Sequence, residues 1–514
     1  MKSLHAVALL SLVSACAGTP PPAPASPEPA PAPTPSHQPA APVLEQPASI
    51  IPEPSAECQR LAEPVVAEEC PGEMTVALAE RLSTPTRLLA WESCPGVEPG
   101  LLRALVAELS PIECADVLVE PASGAVDPSP EVREVLAGLG VAARLARLAG
   151  DPPRLEPPYD KTRFAGFLTT RLAPWIVEQA KAVDSLSKRG AALHGYAKGV
   201  VAIQAGLADL RMVELMRQTK LPEEMAGDAE LEEVYFAALD QALEPRKQRG
   251  RDAALVGLRR FHEVGAIADG RLESAHRLLS LLYNGRRIDR LERLMLPSLS
   301  AEADAPLAAA LPSYYAGKLI PEEKLRDDVL ALSSKGLPTP LQQSVEAPKG
   351  KPLPPDKTLA YALGLAHLGQ RYFTRGDFER AGRVSQGIAR DKIYGARARL
   401  LAALGEAMVG APDDAAKMML AGFGDWKPNV KGLDTLGKGR GELAGMAAFD
   451  AAFLLELAAP QGADEKFWLE LSTRYGAAQK KLEGAAAERA KQRAEAAKQT
   501  ADSIAGKAKS PDAH

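Results

Sequence analysis

The chain has 514 residues, which is long enough for two or three domains or for one extended array of repeats. Its net charge of −5 and its 25% of charged residues suit a soluble body and give no reason to expect a nucleic-acid partner. Aromatic residues make up only 5% of the chain, so few side chains are available to stack on bases or sugars.

The N-terminus has the pattern of a secretory signal sequence. Lys2 supplies a positive charge, and the apolar stretch Ala6–Val13 follows it. This stretch is too short to cross a bilayer as a helix, which needs about 20 apolar residues. The run Val13-Ser14-Ala15-Cys16 resembles the lipobox of bacterial lipoproteins. A plain signal peptide with an incidental cysteine is the alternative.

The lipobox resemblance implies that residues 1–15 are removed and that Cys16 is diacylated on sulfur, which anchors the protein to a membrane. Ala17 follows where lipoproteins kept in the inner membrane carry aspartate, so the resemblance implies the outer membrane, with the body in the periplasm. Residues 16–56 form a lipidated linker, in which the segment 20–54 contains 14 prolines. Because proline fixes φ and lacks an amide donor, we expect a disordered, extended tether that reaches up to roughly 100 Å.

Four further cysteines, Cys58, Cys70, Cys94 and Cys114, lie close together in the sequence. An even number in an exported protein predicts two disulfides, for which three pairings exist. Short loops close most readily, which favours Cys58–Cys70 and Cys94–Cys114. A metal site is the rival interpretation, but no CxxC spacing or neighbouring histidine supports it.

The region from about 57 to 475 follows a helical pattern throughout. Apolar residues recur at spacings of three and four, as at Leu278, Leu281 and Leu282, and no run of alternating β-branched residues interrupts them. The predicted class is all-α. The expected divisions are a cysteine-containing region 57–150, a repeat-like lobe 151–335, a Pro/Lys-rich linker 336–357, a second lobe 358–475 and a charged, alanine-rich tail 476–514.

The second lobe contains the clearest motif, formed by Gly369, Tyr372, Gly376, Phe378 and Ala381. This spacing resembles the tetratricopeptide repeat, in which two antiparallel helices form one unit of a solenoid. A small residue at Gly369 should let the two helices cross closely, and Gly376 should turn the chain between them. Phe378 and Ala381 should then pack the second helix onto the first.

A second, degenerate unit follows. Gly410 and Ala415 lie 34 residues beyond Gly376 and Ala381, which is the period of that repeat, and the small Ala403 corresponds to Gly369. The resemblance implies a solenoid of helical hairpins in one or two lobes. Residues 476–514 carry eight basic and five acidic groups, and we expect a solvent-exposed helix there that gives way to disorder.

The strongest basic cluster comprises Arg246, Lys247, Arg249 and Arg251, and Arg286-Arg287 forms a smaller one. Arginine makes forked hydrogen bonds to carboxylates and phosphates, so these clusters could bind peptidoglycan, lipid phosphates or an acidic partner helix. The structural alternative is that they pair with nearby carboxylates and hold helices together.

No catalytic or metal motif stands out. His262 and His276 lie on the helical pattern without other ligands, and we expect neither a metal nor a cofactor. Lytic transglycosylases are also built on helical solenoids and need a glutamate in a Glu-Ser pair followed by a Gly-Leu-Met-Gln segment. Glu92-Ser93 and Glu273-Ser274 lack that segment, so we predict that the protein is not an enzyme.

The lipobox and the repeat together resemble the tetratricopeptide lipoproteins of gliding-motility, type IV pilus and secretion complexes. That resemblance implies a lipid-anchored scaffold or adaptor that binds other components of an envelope complex. Among such complexes, a gliding-motility machine is slightly favoured. A peptidoglycan-associated structural lipoprotein is the first alternative, and a cell-wall hydrolase is the second.

Overall fold

The protein is helical wherever its structure is described. The computed structural model describes residues 50–299 and 353–508, apart from 73, 82, 99, 121–127, 149–151, 220, 222–225, 267–269 and 283–286. Over these residues all regular structure is helix and no strand occurs, which confirms the all-α prediction. The predicted signal sequence, Cys16, most of both linkers and Arg286 lie outside the described residues. No helix in the described part combines the length and apolar character needed to span a membrane.

The helices of the N-terminal part are α1 (Ala56–Leu61), α2 (Met74–Arg81), α3 (Leu101–Leu109), α4 (Ala115–Val119), α5 (Pro130–Arg147), α6 (Lys161–Phe167), α7 (Ala173–Ala191), α8 (Gly195–Arg217), α9 (Ala229–Glu263) and α10 (Gly270–Leu282). The C-terminal helices are α11 (Pro355–Tyr372), α12 (Arg375–Gln386), α13 (Gly395–Ala407), α14 (Ala415–Ala421), α15 (Lys431–Gly437), α16 (Glu442–Leu457), α17 (Glu465–Gln479) and α18 (Gly484–Ala508). Short 3-10 helices occur at Pro85–Trp91, Ile112–Cys114 and Ile288–Arg293, and a π turn occurs at Leu168–Leu172.

Several helices begin at residues that cap their free amide groups. The Asp464 carboxylate accepts a hydrogen bond from the backbone N–H of Phe467 at 2.9 Å, and α17 starts there. Asp414 caps α14 in the same way through the N–H of Lys417, also at 2.9 Å. Such caps each contribute about 1 kcal/mol, so these polar residues define where the helices start.

The backbones of the long helices α8 and α9 approach each other closely where the helices cross. A Cβ atom on Gly206 would lie 2.6 Å from the carbonyl oxygen of Gly250, and one on Gly257 would lie 2.8 Å from the backbone nitrogen of Ile203. Only glycine tolerates such contacts, so these residues set the close crossing of the two helices.

The hairpin of α11 and α12 has the close crossing that the motif predicts. A Cβ atom on Gly369 would lie 2.6 Å from Cδ2 of Phe378, and both Phe378 and Ala381 are buried. The turn between the helices differs from the prediction, because Gly376 lies inside α12 and Phe373 reverses the chain with a φ of 55°. The Phe373 ring is fully buried and packs 5.6 Å from the Phe423 ring, which offsets the unfavourable left-handed backbone.

The charged tail forms a helix, but that helix is not the solvent-exposed one we expected. Helix α18 packs along α17 with Ala490, Ala497 and Ala501 buried. A stripe of alanines lets two helices approach closely, so the tail belongs to the packed body.

The two predicted lobes share one hydrophobic core, whose buried members extend from Leu78 to Ala497. Hydrogen bonds also join the lobes. The Gln370 side chain donates to the carbonyl of Leu294 at 2.9 Å, and the backbone N–H of Met295 donates to the carboxylate of Asp450 at 2.8 Å. The body therefore packs as a continuous unit across the predicted linker.

The four cysteines form two disulfide pairs, but the favoured pairing is wrong. Cys58 pairs with Cys114 and Cys70 with Cys94, at Cα–Cα distances of 4.9 and 5.6 Å. Helix α1 packs against α4 and the 3-10 helix before it, which brings Cys58 to Cys114 across 56 residues of sequence. Packing decides the outcome, because doubling a loop costs only about 0.6 kcal/mol in closure entropy.

Candidate functional site: an arginine-lined cleft

The basic cluster on α9 is engaged in ion pairs that hold three helices together. Arg246 donates to the Asp209 carboxylate of α8 at 2.8 Å, and Arg249 donates to it at 2.6 Å. Arg249 also reaches Asp184 of α7 at 2.8 Å. Asp209 is only 1% exposed, so its charge needs these partners, and the geometry favours the structural interpretation of the cluster.

The remaining predicted basic residues also have carboxylate neighbours. Lys247 lies 3.1 Å from Asp240, and Arg251 lies 3.3 Å from the adjacent Asp252. Arg287 donates to Asp289 at 2.7 Å.

The repeat-signature residues are divided between the hairpin and its surroundings. The Tyr372 hydroxyl donates to the carbonyl of Ala266, beyond the hairpin. Gly410 has a φ of 82° and lies beside Trp426, and Ala415 is the first residue of α14.

The second predicted unit packs differently from the first. Ala403 of α13 meets Gly432 of α15, where a glycine Cβ would lie 3.0 Å from the Ala403 Cβ. The intervening α14 has only seven residues and instead contacts the 3-10 helix Ile288–Arg293.

The two Glu-Ser pairs lack the surroundings of a buried general acid. Glu92 accepts a hydrogen bond from Arg103 at 2.7 Å. Glu273 is exposed and pairs with Arg371, and Ser274 bonds back to the carbonyl of Gly270 within its own helix. Neither glutamate occupies the apolar setting that would hold a proton for a glycosidic oxygen.

His262 and His276 both lie inside the packed helical body. The Nε2 atom of His262 lies 2.6 Å from the Asp377 carboxylate and links α9 to α12. His276 is buried, and burial together with the nearby Arg371 lowers its pKa to about 4. The part of the chain that the structure describes contains no group of three or more metal-ligating side chains.

A charged cleft of about 500 Å³ opens between the 3-10 helix Ile288–Arg293 and α18. It is lined by Asp289, Glu292, Arg293, Arg489, Gln492, Arg493 and Ala496. The cleft brings residues of the first predicted lobe (151–335) together with residues of the predicted tail (476–514), nearly two hundred positions apart in the sequence.

The acidic groups at the cleft are already engaged by arginines. Arg287 hydrogen-bonds Asp289 and lowers the pKa of that carboxyl. Arg371 lies 2.6 Å from Glu292, although burial still raises the pKa of Glu292.

Three arginines line the cleft, and two of them have no such partner. The third, Arg493, is paired with Glu456 at 2.6 Å. Arg293 and Arg489, in contrast, form no hydrogen bond and no ion pair within 4.0 Å with any described residue. Arg489 is exposed and Arg293 is half-buried, so both guanidinium groups are accessible from the cleft.

Sequence reasoning did not single out Arg293, Arg489 or Arg493. Arg489 and Arg493 are four residues apart on a helix, which places them on one face, and Arg293 follows the Arg286-Arg287 cluster. Each of these sequence features is visible by itself, but only the packing of α18 brings the three arginines into one cleft.

The chain matches no protein-family model, no curated protein and no solved structure. Its function is therefore inferred from its own residues and geometry.

Proposed function

We propose that this protein is a non-catalytic, lipid-anchored adaptor that binds other proteins of a cell-envelope complex. Cys16 would carry the anchor on the outer membrane, and the proline-rich tether would let the helical body reach its partners in the periplasm. A motility machine, gliding in particular, is the first class of complex to test, followed by pilus and secretion machines.

One observation carries the proposal: consecutive helices pack side by side around a core that continues from Leu78 to Ala497. Such an array exposes long surfaces on which several partners can bind at once. The carboxyl groups considered above are paired with basic side chains, which suits a binding role.

We further propose that α11 and α12 form a tetratricopeptide-like unit. The contact of Gly369 with Phe378 supports this assignment. So does the next crossing, where a Cβ atom on Gly382 would lie 3.1 Å from the Cα of Gly405 and bring α12 onto α13. The degenerate unit after it would be the end of a short repeat array.

The experiment is recovery of crosslinked complexes from cells that produce the tagged full-length protein, followed by mass spectrometry. We expect a reproducible set of envelope proteins with the wild type. The Cys16→Ser variant keeps the same body but should move to the periplasmic fraction and lose most of that set. Recovery of the wild-type protein alone, or with murein fragments only, would contradict the adaptor proposal. A Cys16→Ser protein that stayed with the membrane would contradict the anchor.

A further inference from the structure

We infer that the arginine-lined cleft between the 3-10 helix Ile288–Arg293 and α18 binds an acidic peptide segment, through carboxylates that pair with Arg293 and Arg489. This inference deepens the proposed function and rests on it, since the peptide would belong to a partner of the adaptor.

The position of the two arginines supports two-point binding. Arg293 ends the 3-10 helix on one side of the cleft, and Arg489 lies in the first part of α18 on the other. Arg493 lies one turn further along α18 but is bound to Glu456 at 2.6 Å. Arg293 and Arg489 are therefore the two arginines of the lining that hold no carboxylate at hydrogen-bonding distance, one on each side of the cleft.

Neither guanidinium group makes a hydrogen bond or a close ion pair with a described residue, and only longer-range attraction links Arg293 to Asp289 and Glu456 and links Arg489 to Asp450. Asp289 is bound by Arg287 and Glu292 by Arg371, so neither acid is available to Arg293 at hydrogen-bonding distance. Guanidinium groups bind carboxylates through two parallel hydrogen bonds, and such charge-assisted bonds are about twice as strong as neutral ones. A carboxylate ligand would supply the missing partner for each.

The size and lining of the cleft favour a peptide over a single phosphate ion. Its volume of about 500 Å³ falls in the range of sites that hold ligands of many atoms. The nearby Asp289 and Glu292 would repel a dianion placed centrally, whereas carboxylates spaced along a chain can each approach one arginine. Gln492 adds a side-chain amide that can donate to and accept from a peptide backbone.

The test measures binding of a fluorescein-labelled hexaglutamate peptide to the intact protein in detergent at low salt, by fluorescence anisotropy. Hexaglutamine is the uncharged match. We expect hexaglutamate alone to bind, and its affinity to fall as salt rises. The Arg293→Ala/Arg489→Ala variant should bind about 10-fold more weakly or worse, because two charge-assisted contacts are lost.

The matched control is Arg171→Ala/Arg383→Ala, which removes the same charge from two exposed helical arginines outside the cleft. Its affinity should stay within about twofold of the wild type, since only long-range attraction is reduced. Arg489→Glu alone changes an exposed side chain, so it tests the site even if the double variant folds poorly, and it should also abolish most binding. Equal losses in the cleft and control variants would overturn the assignment.

The second part of the test uses inorganic phosphate as a competitor of hexaglutamate. At matched ionic strength, phosphate should displace hexaglutamate no better than chloride does, and specific displacement by phosphate would overturn the peptide assignment.

If hexaglutamate fails to bind but crosslinked envelope proteins are still recovered, the cleft assignment is wrong and the adaptor proposal stands. If hexaglutamate binds through the two arginines but no partner is recovered, the adaptor proposal fails and the acidic-peptide site stands.

Discussion

Asp209 is buried on α8 and receives hydrogen bonds from both Arg246 and Arg249. Replacing it with alanine would leave two guanidinium groups without their shared acceptor inside the α8–α9 packing. We expect Asp209→Ala to lower the free energy of unfolding by about 3 kcal/mol, as measured by urea denaturation. Asp252→Ala removes an exposed partner on α9 and should cost less than about 1 kcal/mol. Equal costs would contradict the structural role of the cluster.

Asp450 is a second buried carboxyl, with 0% exposure and one oxygen, Oδ2, that has no hydrogen-bond partner among the described residues. Burial raises its pKa well above the usual value, despite the hydrogen bond from Met295. The folded state therefore holds this proton at pH values where the unfolded chain has released it. Stability should fall as the pH rises from about 4 toward the pKa of the folded state, by up to about 1.4 kcal/mol per pH unit.

The variant Asp450→Asn keeps the shape of the side chain and cannot ionise. As the pH rises from 4 toward 7, the free energy of unfolding of the variant should increase relative to that of the wild type. Urea titrations at several pH values measure this difference. Asp425→Asn, at an exposed position, is the control and should follow the wild type. Parallel curves for Asp450→Asn and the wild type would show that folding does not raise the pKa of this carboxyl.

At the scale of the helical elements, two glycines of the repeat motif have opposite surroundings. Gly369 is packed against the Phe378 ring, while nothing lies within 4 Å of where a Cβ of Gly376 would be. We expect Gly369→Ala to destabilise the protein by about 1–3 kcal/mol through overpacking. Gly376→Ala lies inside a helix and should be neutral or stabilising by up to about 1 kcal/mol. Thermal unfolding of the two variants gives the comparison, and equal effects would contradict the packing of α11 on α12.

Helical periodicity could be read from the sequence because it depends on neighbours three and four residues apart. The close crossing at Gly369 and the packing of Phe378 were predicted from the resemblance of the motif to the tetratricopeptide repeat. The turn at Phe373 could not be predicted this way, since its left-handed backbone is stabilised by burial of the ring against Phe423, fifty positions away. The tail helix α18 was misjudged for the same reason, because its alanines are buried by a partner helix.

At the scale of the whole molecule, the disulfides test how the N-terminal helices are packed. Digestion of the non-reduced protein should release peptides that link Cys58 to Cys114 and Cys70 to Cys94. Each bridge closes a loop long enough to stabilise the fold by about 3–4 kcal/mol in the chain-entropy account. A peptide that links Cys58 to Cys70 would instead support the pairing of nearest neighbours and contradict the position of α1.

The cleft is the feature that the sequence could least predict. Arg293 and Arg489 are separated by 196 residues, and only the packing of α18 brings them to the same surface. The basic cluster on α9 was visible because its members lie close together in the sequence, yet its arginines are bound to the buried Asp209 and the exposed Asp184. A run of like charge in the sequence was thus a poor guide to which charges stay accessible.

We propose that this protein is an adaptor whose cleft holds a partner. The measurement that tests it most directly is crosslinked recovery of partners from cells producing three proteins: the wild type, Arg293→Glu/Arg489→Glu, and the matched control Arg171→Glu/Arg383→Glu. We predict that the wild type and the control recover the same envelope proteins, while the cleft variant, present at the same level in the same membrane fraction, loses at least one of them. Identical recovery with all three proteins, or no partner with the wild type, would contradict the account.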